Sequence, residues 1–338
     1  MTMTSITAIM YKLLLWFISF TALFGATLPA PSTDEPIKVN EEANMTVVLW
    51  GDTQLSDYDA KRHQYSKNAA IDLKYAEGEF DALVIAGDVT ENGKGAEYQL
   101  LLDYLSVADN VKNHIFTVGN HDVRLRQYSQ VVKTFDEFCN AANSTFADNA
   151  KYYKEGKLSY TYEVNGYTFI VLGTDKVVFE ESYFSDECLR WFDAELAKAT
   201  ADGKPAFVVV HQPLKLTHQV WQSWNSPSDK AGTIGAQSDA LQTIMEKYNN
   251  VFFITGHLHM GFSDKWSIHR TGETAEKAGD GNVVLVNLPG IGPKNADGEY
   301  NNSGTGYIME VYNDRVEFIA RDFNLGKYVD HNETVYFK

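Results

Sequence analysis

Short apolar runs, many of them β-branched, recur along this chain, and six of them stop abruptly at polar residues. Val47–Trp50 ends at Gly51-Asp52-Thr53-Gln54, Ala82–Ala86 at Gly87-Asp88, and Ile115–Val118 at Gly119-Asn120-His121-Asp122. Thr168–Leu172 ends at Gly173-Thr174-Asp175, Ala206–Val210 at His211-Gln212-Pro213, and Val251–Ile254 leads to Gly256-His257-Leu258-His259. Runs this apolar along their whole length read as strands buried on both faces. A glycine at the strand end lets the backbone turn and lets another group approach closely.

Between the runs lie helix-like stretches at Asp59–Ala76, Ala96–Ala108, Gln127–Asn140, Asp186–Thr200 and Ala236–Tyr248. Strand, helix, strand repetition predicts βαβ units. A further run at Val283–Val286 predicts another strand, and Tyr307–Val311 with Val316–Ala320 around Asn313-Asp314 predicts an antiparallel hairpin. The expected class is α/β, with mixed sheets and helices on their outer faces.

Ligands of open α/β sheets bind beyond the carboxyl ends of the strands. The strand ends here deliver Asp, Gln, Asp, Asn, His, His and His toward one region. These are oxygen and nitrogen donors without a thiolate, a set that suits iron, manganese or zinc. They are too many for one tetrahedral ion, whereas two ions sharing a carboxylate would use them all. The formal net charge of -16 argues against a nucleic-acid polymer as partner. A small phosphorylated substrate stays possible, because bound cations dominate a local field.

The ordered set resembles the calcineurin-like metallophosphoesterases, whose pattern is D-x-H, G-D, G-N-H-D/E, a lone H and G-H-x-H. The resemblance spans about residues 45–323 and implies a four-layer αββα sandwich with a dinuclear site at the strand ends. It implies that Asp88 is shared by two Mn, Fe or Zn ions. Asp52, Gln54 and His259 would hold the first ion, and Asn120, His211 and His257 the second. A hydroxide between the ions would attack the phosphorus of a phosphodiester, nucleotide or phosphomonoester. His121 would donate to the leaving oxygen or stabilise the phosphoryl oxygens, and Asp122 would orient His121. Gln54 departs from the family's usual His, which bears on metal preference at the first site. Glu91 stands where purple acid phosphatases carry a ligand Tyr, which argues against that branch. The second reading is a catalytically inactive member of the fold acting as a binding scaffold. A serine hydrolase is set aside because no G-x-S-x-G elbow is present.

Weaker signals complete the reading. Arg62 and His63, near the start of the first helix, and His218, in the long loop 217–235 with Trp221 and Trp224, are candidate substrate contacts. Asp175 is a candidate for positioning a loop beside the site or capping the next segment. Lys12 followed by Leu13–Phe24 and then small residues predicts a signal peptide over 1–27 and an exported, soluble mature protein. An uncleaved signal anchor is the alternative. Residues 28–44 read as a proline-rich acidic linker, and 45–338 as the metallophosphoesterase domain. In an oxidising compartment Cys139 and Cys188 would either form one disulfide or stay as two buried thiols. Asn44, Asn143, Asn301 and Asn332 open N-x-Ser/Thr sequons.

Overall fold

The computed structural model describes residues 35–218, 232–262, 267–274, 277–293 and 303–338. The signal segment, Trp221, Trp224 and Asn301 lie outside these residues. No helix among the described residues is long and apolar enough to cross a membrane.

The apolar runs become strands of two mixed seven-stranded sheets. In the first, β1 (Met45–Trp50), β2 (Ala82–Ile85) and β3 (His114–Phe116) run parallel. On the other side β1 pairs antiparallel with β11 (Thr305–Val311), which forms a hairpin with β12 (Arg315–Asp322). The short strands β13 (Lys327–Tyr328) and β14 (Glu333–Tyr336) both add to β12.

The second sheet runs in the order β4 (Lys151–Tyr152), β5 (Tyr160–Val164), β6 (Tyr167–Val171), β7 (Ala206–Val209), β8 (Val251–Thr255), β10 (Val283–Asn287) and β9 (Ile268–Arg270). Its central strands, β6, β7, β8 and β10, are parallel.

Alternation along the strands sorts the layers. Phe169, Phe207, Phe252 and Val284 face inward into a core shared with the first sheet. Phe252 sits 6.1 Å from Phe318 of β12, ring to ring. Their neighbours Ile170, Val208, Phe253 and Leu285 face outward, against helices Asp186–Ala199 and Ser238–Met245. On the far side of the first sheet pack helices Ala60–Lys74, Gly95–Leu105 and Tyr128–Ala142. The last of these buries Val131, Phe135, Phe138 and Cys139, the spacing of one helix face. Four layers result, in the order αββα, as the resemblance implies.

Two expectations change. Residues 35–44, read as linker, pack on the domain: Ile37 is buried, its carbonyl accepts the Glu77 N–H, and the Glu77 carbonyl accepts the Val39 N–H. The possible disulfide is absent, because Cys139 and Cys188 are free thiols in different hydrophobic clusters. Cys188 Sγ lies 3.7 Å from Ser159 Oγ, and burial raises both thiol pKa values, that of Cys188 to about 12. Neither is poised to react.

Candidate metal centre

The parallel strands of both sheets end at the same edge of the sandwich, and their polar ends meet there. Oδ2 of Asp88 lies 3.2 Å from Nε2 of His211, and Oδ1 accepts the His121 backbone N–H at 2.8 Å. Asp52 accepts the His257 N–H on Oδ1 at 2.9 Å and faces His259 Nε2 with Oδ2 at 2.8 Å. Asn120 Oδ1 is 3.2 Å and His257 Nδ1 is 3.1 Å from His211 Nε2. The side-chain donor atoms of Asp88, His211 and His257 all fall within 4.8 Å of one another. Thus Asp52, Asp88, Asn120, His211, His257 and His259 are brought together from positions up to 207 residues apart.

The glycines before them are there for room. A Cβ on Gly119 would run into the Asp88 carboxylate. One on Gly256 would stand 2.6 Å from Asp52 Oδ1, and one on Gly87 would stand 2.6 Å from His211 Nδ1. The ligand-bearing residues themselves are held in unusual backbone. Gln54, Asp88, His257 and His259 have φ of 43°, 44°, 71° and 48°. Non-glycine residues adopt this left-handed region at a cost, and such residues cluster at functional sites.

The electrostatics are those of a site built for cations. Burial works against ionised Asp52 and Asp88, yet the facing imidazoles outweigh it and hold both carboxyls below their ordinary range. Burial likewise opposes a charge on His211, but Asp88 and then Asp52 raise its pKa to about 9. Burial and the neighbouring His211 push His257 down to about 3. The ring nitrogen Nδ1 of His211 is 2.8 Å from the Ala86 carbonyl oxygen. It therefore carries a proton, and Nε2 is the atom turned into the site.

The residues fit metal ions. Gln54 Oε1 is buried with no hydrogen-bond partner. An orphaned buried carbonyl oxygen is costly, and a hard cation at this place satisfies it. Its amide nitrogen meanwhile lies 2.9 Å from His121 Nε2, so Gln54 and His121 are directly linked.

Three expectations are corrected by the geometry. Asp122 does not orient His121. Its carboxylate accepts the N–H groups of Val89, Thr90 and Gly119 and the hydroxyls of Thr90 and Tyr98, fixing the loop after β2 to the turn after β3. Burial, then Asp88, raises its pKa to about 6. His63 is closed off, with its ring nitrogens 2.6 Å from Tyr104 Oη and 2.6 Å from the Ser56 carbonyl. His218 is buried edge-to-face on His269 of β9, 4.6 Å between centroids, outside the cluster just described. Arg62 is at the rim, but its guanidinium is engaged by Glu91, Asp59 and the Gln54 carbonyl. Asp175 staples the segment leading to helix Asp186–Ala199, accepting from Tyr153 Oη and the Ser185 N–H.

Sequence reasoning missed three residues that hold this centre. Glu91 Oε1 and its backbone oxygen each lie 3.1 Å from His121 Nδ1. Burial opposes its charge, but hydrogen bonds from His121 and Arg62 bring its pKa down to about 2. Arg124 Nη2 lies 2.8 Å from the same His121 nitrogen. Glu180 accepts the Asn120 amide N–H at 2.9 Å, and its backbone oxygen accepts from Gln212, next to His211. Glu91 and Arg124 sit within four residues of a motif position, which was the available signal. Glu180 lies in a segment with no pattern.

The calcineurin-like phosphoesterase family model matches residues 45–261. The chain belongs to the calcineurin-like phosphoesterases. Among curated proteins, it is 23% identical over 208 residues to a protein described as probable glycerophosphodiester phosphodiesterase GpdQ from Arcobacter nitrofigilis. That match covers 61% of this chain and 66% of the relative, just under two thirds of its length. Among solved structures, a dimetal phosphatase from Danio rerio matches with a TM-score of 0.58 at 13% identity, covering 88% of this chain and all of that one. This likeness is one of fold.

Proposed function

We propose that the protein is an exported dinuclear phosphoesterase that cleaves a small phosphodiester or nucleotide-type ester in preference to a simple monoester. The observation that carries this reading is Asp88 Oδ2 lying 3.2 Å from His211 Nε2 and 4.0 Å from His121 Nε2, in a cluster where Asp52, Asn120 and His257 gather on His211 and Gln54 on His121. Asp88 would be shared by two ions. Asp52, Gln54 and His259 would hold the first, and Asn120, His211 and His257 the second. Mn, Fe or Zn would suit this donor set. When bound, they neutralise phosphate charge and acidify water.

The chain's own residues do the rest. His121 stands 4.0 Å from Asp88 Oδ2, beside the ligands without being needed as one. Glu91 accepts its Nδ1 proton and Nε2 points inward; burial opposes a charge on His121, but Glu91 and Asp88 favour it, and the Nε2 proton of that imidazolium would pass to the oxygen of a departing alcohol. Preference for a diester draws support from the name of the Arcobacter relative. Export rests on the apolar stretch after Lys12.

Metal analysis of the purified protein, with turnover of p-nitrophenyl phosphate and its bis-ester, tests the reading. About two ions per chain and faster cleavage of the bis-ester are expected. Bound metal with neither ester cleaved would favour the inactive scaffold.

A further inference from the structure

Two exposed apolar side chains flank the centre on the His121 side, and neither serves the core. Leu125 is 86% exposed, and it holds φ of 65°, a left-handed backbone that bulky residues avoid. Phe179 is 63% exposed and comes from the segment that also supplies Glu180. Arg124 joins them. It precedes Leu125 in the chain, and its guanidinium carbon lies 5.6 Å from the centroid of the Phe179 ring. Its nitrogens lie 3.4 Å from Glu180 Oε1 and 2.8 Å from His121 Nδ1.

The ring of Phe179 is therefore fixed rather than loose. One face rests on a cation that is itself paired with the Glu180 and Glu91 carboxylates of the centre, an arrangement worth keeping even at a surface. Strained backbone, exposed apolar surface and proximity to reacting groups coincide at this point. Strain of that kind persists where function uses it, and exposed apolar groups beside a polar cleft mark contact with a ligand.

This inference rests on the phosphoester reading above. We infer that Phe179, Leu125 and Arg124 form a subsite for the alcohol portion of the substrate, and that this portion is an uncharged aromatic or other apolar group. Position assigns the alcohol portion, because Arg124 touches the ring proposed to serve the leaving oxygen. Chemistry assigns its character. A flat apolar group covers the free face of Phe179 and reaches Leu125. A second anionic group would meet Glu180 and Glu91, which already pair with Arg124, in a chain of net charge -16.

Binding of non-hydrolysable phosphonates to metal-loaded protein, by calorimetry, reads this subsite without needing turnover. Benzylphosphonate should bind the wild type about tenfold more tightly than methylphosphonate. The ratio should fall to about one in Phe179→Ala and partway in Leu125→Asn, since Asn accepts the left-handed backbone. Phe179→Trp should retain it, as should Tyr336→Ala at a remote exposed tyrosine. Equal affinities in the wild type, or a ratio unchanged in both Phe179→Ala and Leu125→Asn, would overturn the subsite. So would wild-type binding to phosphatidylcholine vesicles that Phe179→Ala abolishes while the phosphonates bind equally, which would assign the lip to a lipid surface. Selective benzylphosphonate binding without cleavage of either nitrophenyl ester would keep the subsite and remove the proposed activity, so the two stand or fall separately.

Discussion

The Glu91 carboxylate lies 3.1 Å from His121 Nδ1, while Asp122, adjacent to His121 in the chain, spends its oxygens on Val89, Thr90, Gly119 and Tyr98. The carboxylate that aims the imidazole is thus thirty residues away rather than next door. Glu91→Ala is expected to lower kcat about ten- to hundredfold with little change in KM, the usual effect of losing a group that orients a functional side chain. Glu91→Gln, which can still accept a hydrogen bond, should recover part of the loss. Asp122→Asn should instead lower the melting temperature. Steady-state kinetics and thermal unfolding of the three variants distinguish the roles.

Glu180 selects which way the Asn120 amide faces. With its N–H donated to Glu180, Asn120 turns Oδ1 toward His211 and the site. Glu180→Ala should weaken one of two metal-binding steps by about ten- to hundredfold and leave the other nearly unchanged. Metal titration by calorimetry on chelator-treated protein measures both steps.

Metal loading should release protons. In the metal-free protein His211 has a pKa raised to about 9, so at neutral pH it is protonated and its Nε2 carries no lone pair for a cation. Affinity should therefore climb up to about tenfold per pH unit from neutrality and level off near pH 9. Heats of binding measured in buffers of different ionisation enthalpy should show the proton leaving. A chelator should abolish activity, and re-addition of Mn, Zn or Fe should restore it.

His114 adds an acid sensitivity of its own. It is buried against Phe116, and burial lowers its pKa to about 4. The unfolded chain takes up this proton near pH 6.5 and the folded one only near 4. The stability from keeping it neutral is complete above 6.5 and lost as pH falls through that window, about 3 kcal/mol in all. His114→Phe should remove this part of the acid loss. Denaturant midpoints of chelator-treated wild type and variant, from pH 7 to 4, give the comparison.

A buried ion pair anchors the first helix to β12. Arg321 donates to Asp72 at 2.6 and 2.8 Å, with both side chains fully buried. Arg321→Met strands the carboxylate and should cost about 3–5 kcal/mol, whereas Arg321→Met with Asp72→Leu should recover most of it. Urea unfolding of both variants decides the matter.

Much of this molecule is legible in the order of its residues. Strands β1, β2, β3, β6, β7, β8 and β10 announce themselves because segments buried on both faces must be apolar throughout. Their ends announce the site, because Asp, Asn and His are costly beside a core unless something binds them. What the sequence could not supply is what comes from side chains meeting across the fold. The strands β4, β13 and β14 are short and largely wet, and β9 has only three residues, so they lack the apolar signature. Glu91 meets His121 only once β2 and β3 pair, and Glu180 meets Asn120 only once the two sheets pack. Asp122, His63 and His218 carry the right chemistry but find other partners first. Local composition determines where a strand stops and what it presents there. Which carboxylate reaches which imidazole depends on distances of a few ångströms between separate segments, and only the packed tertiary structure sets those.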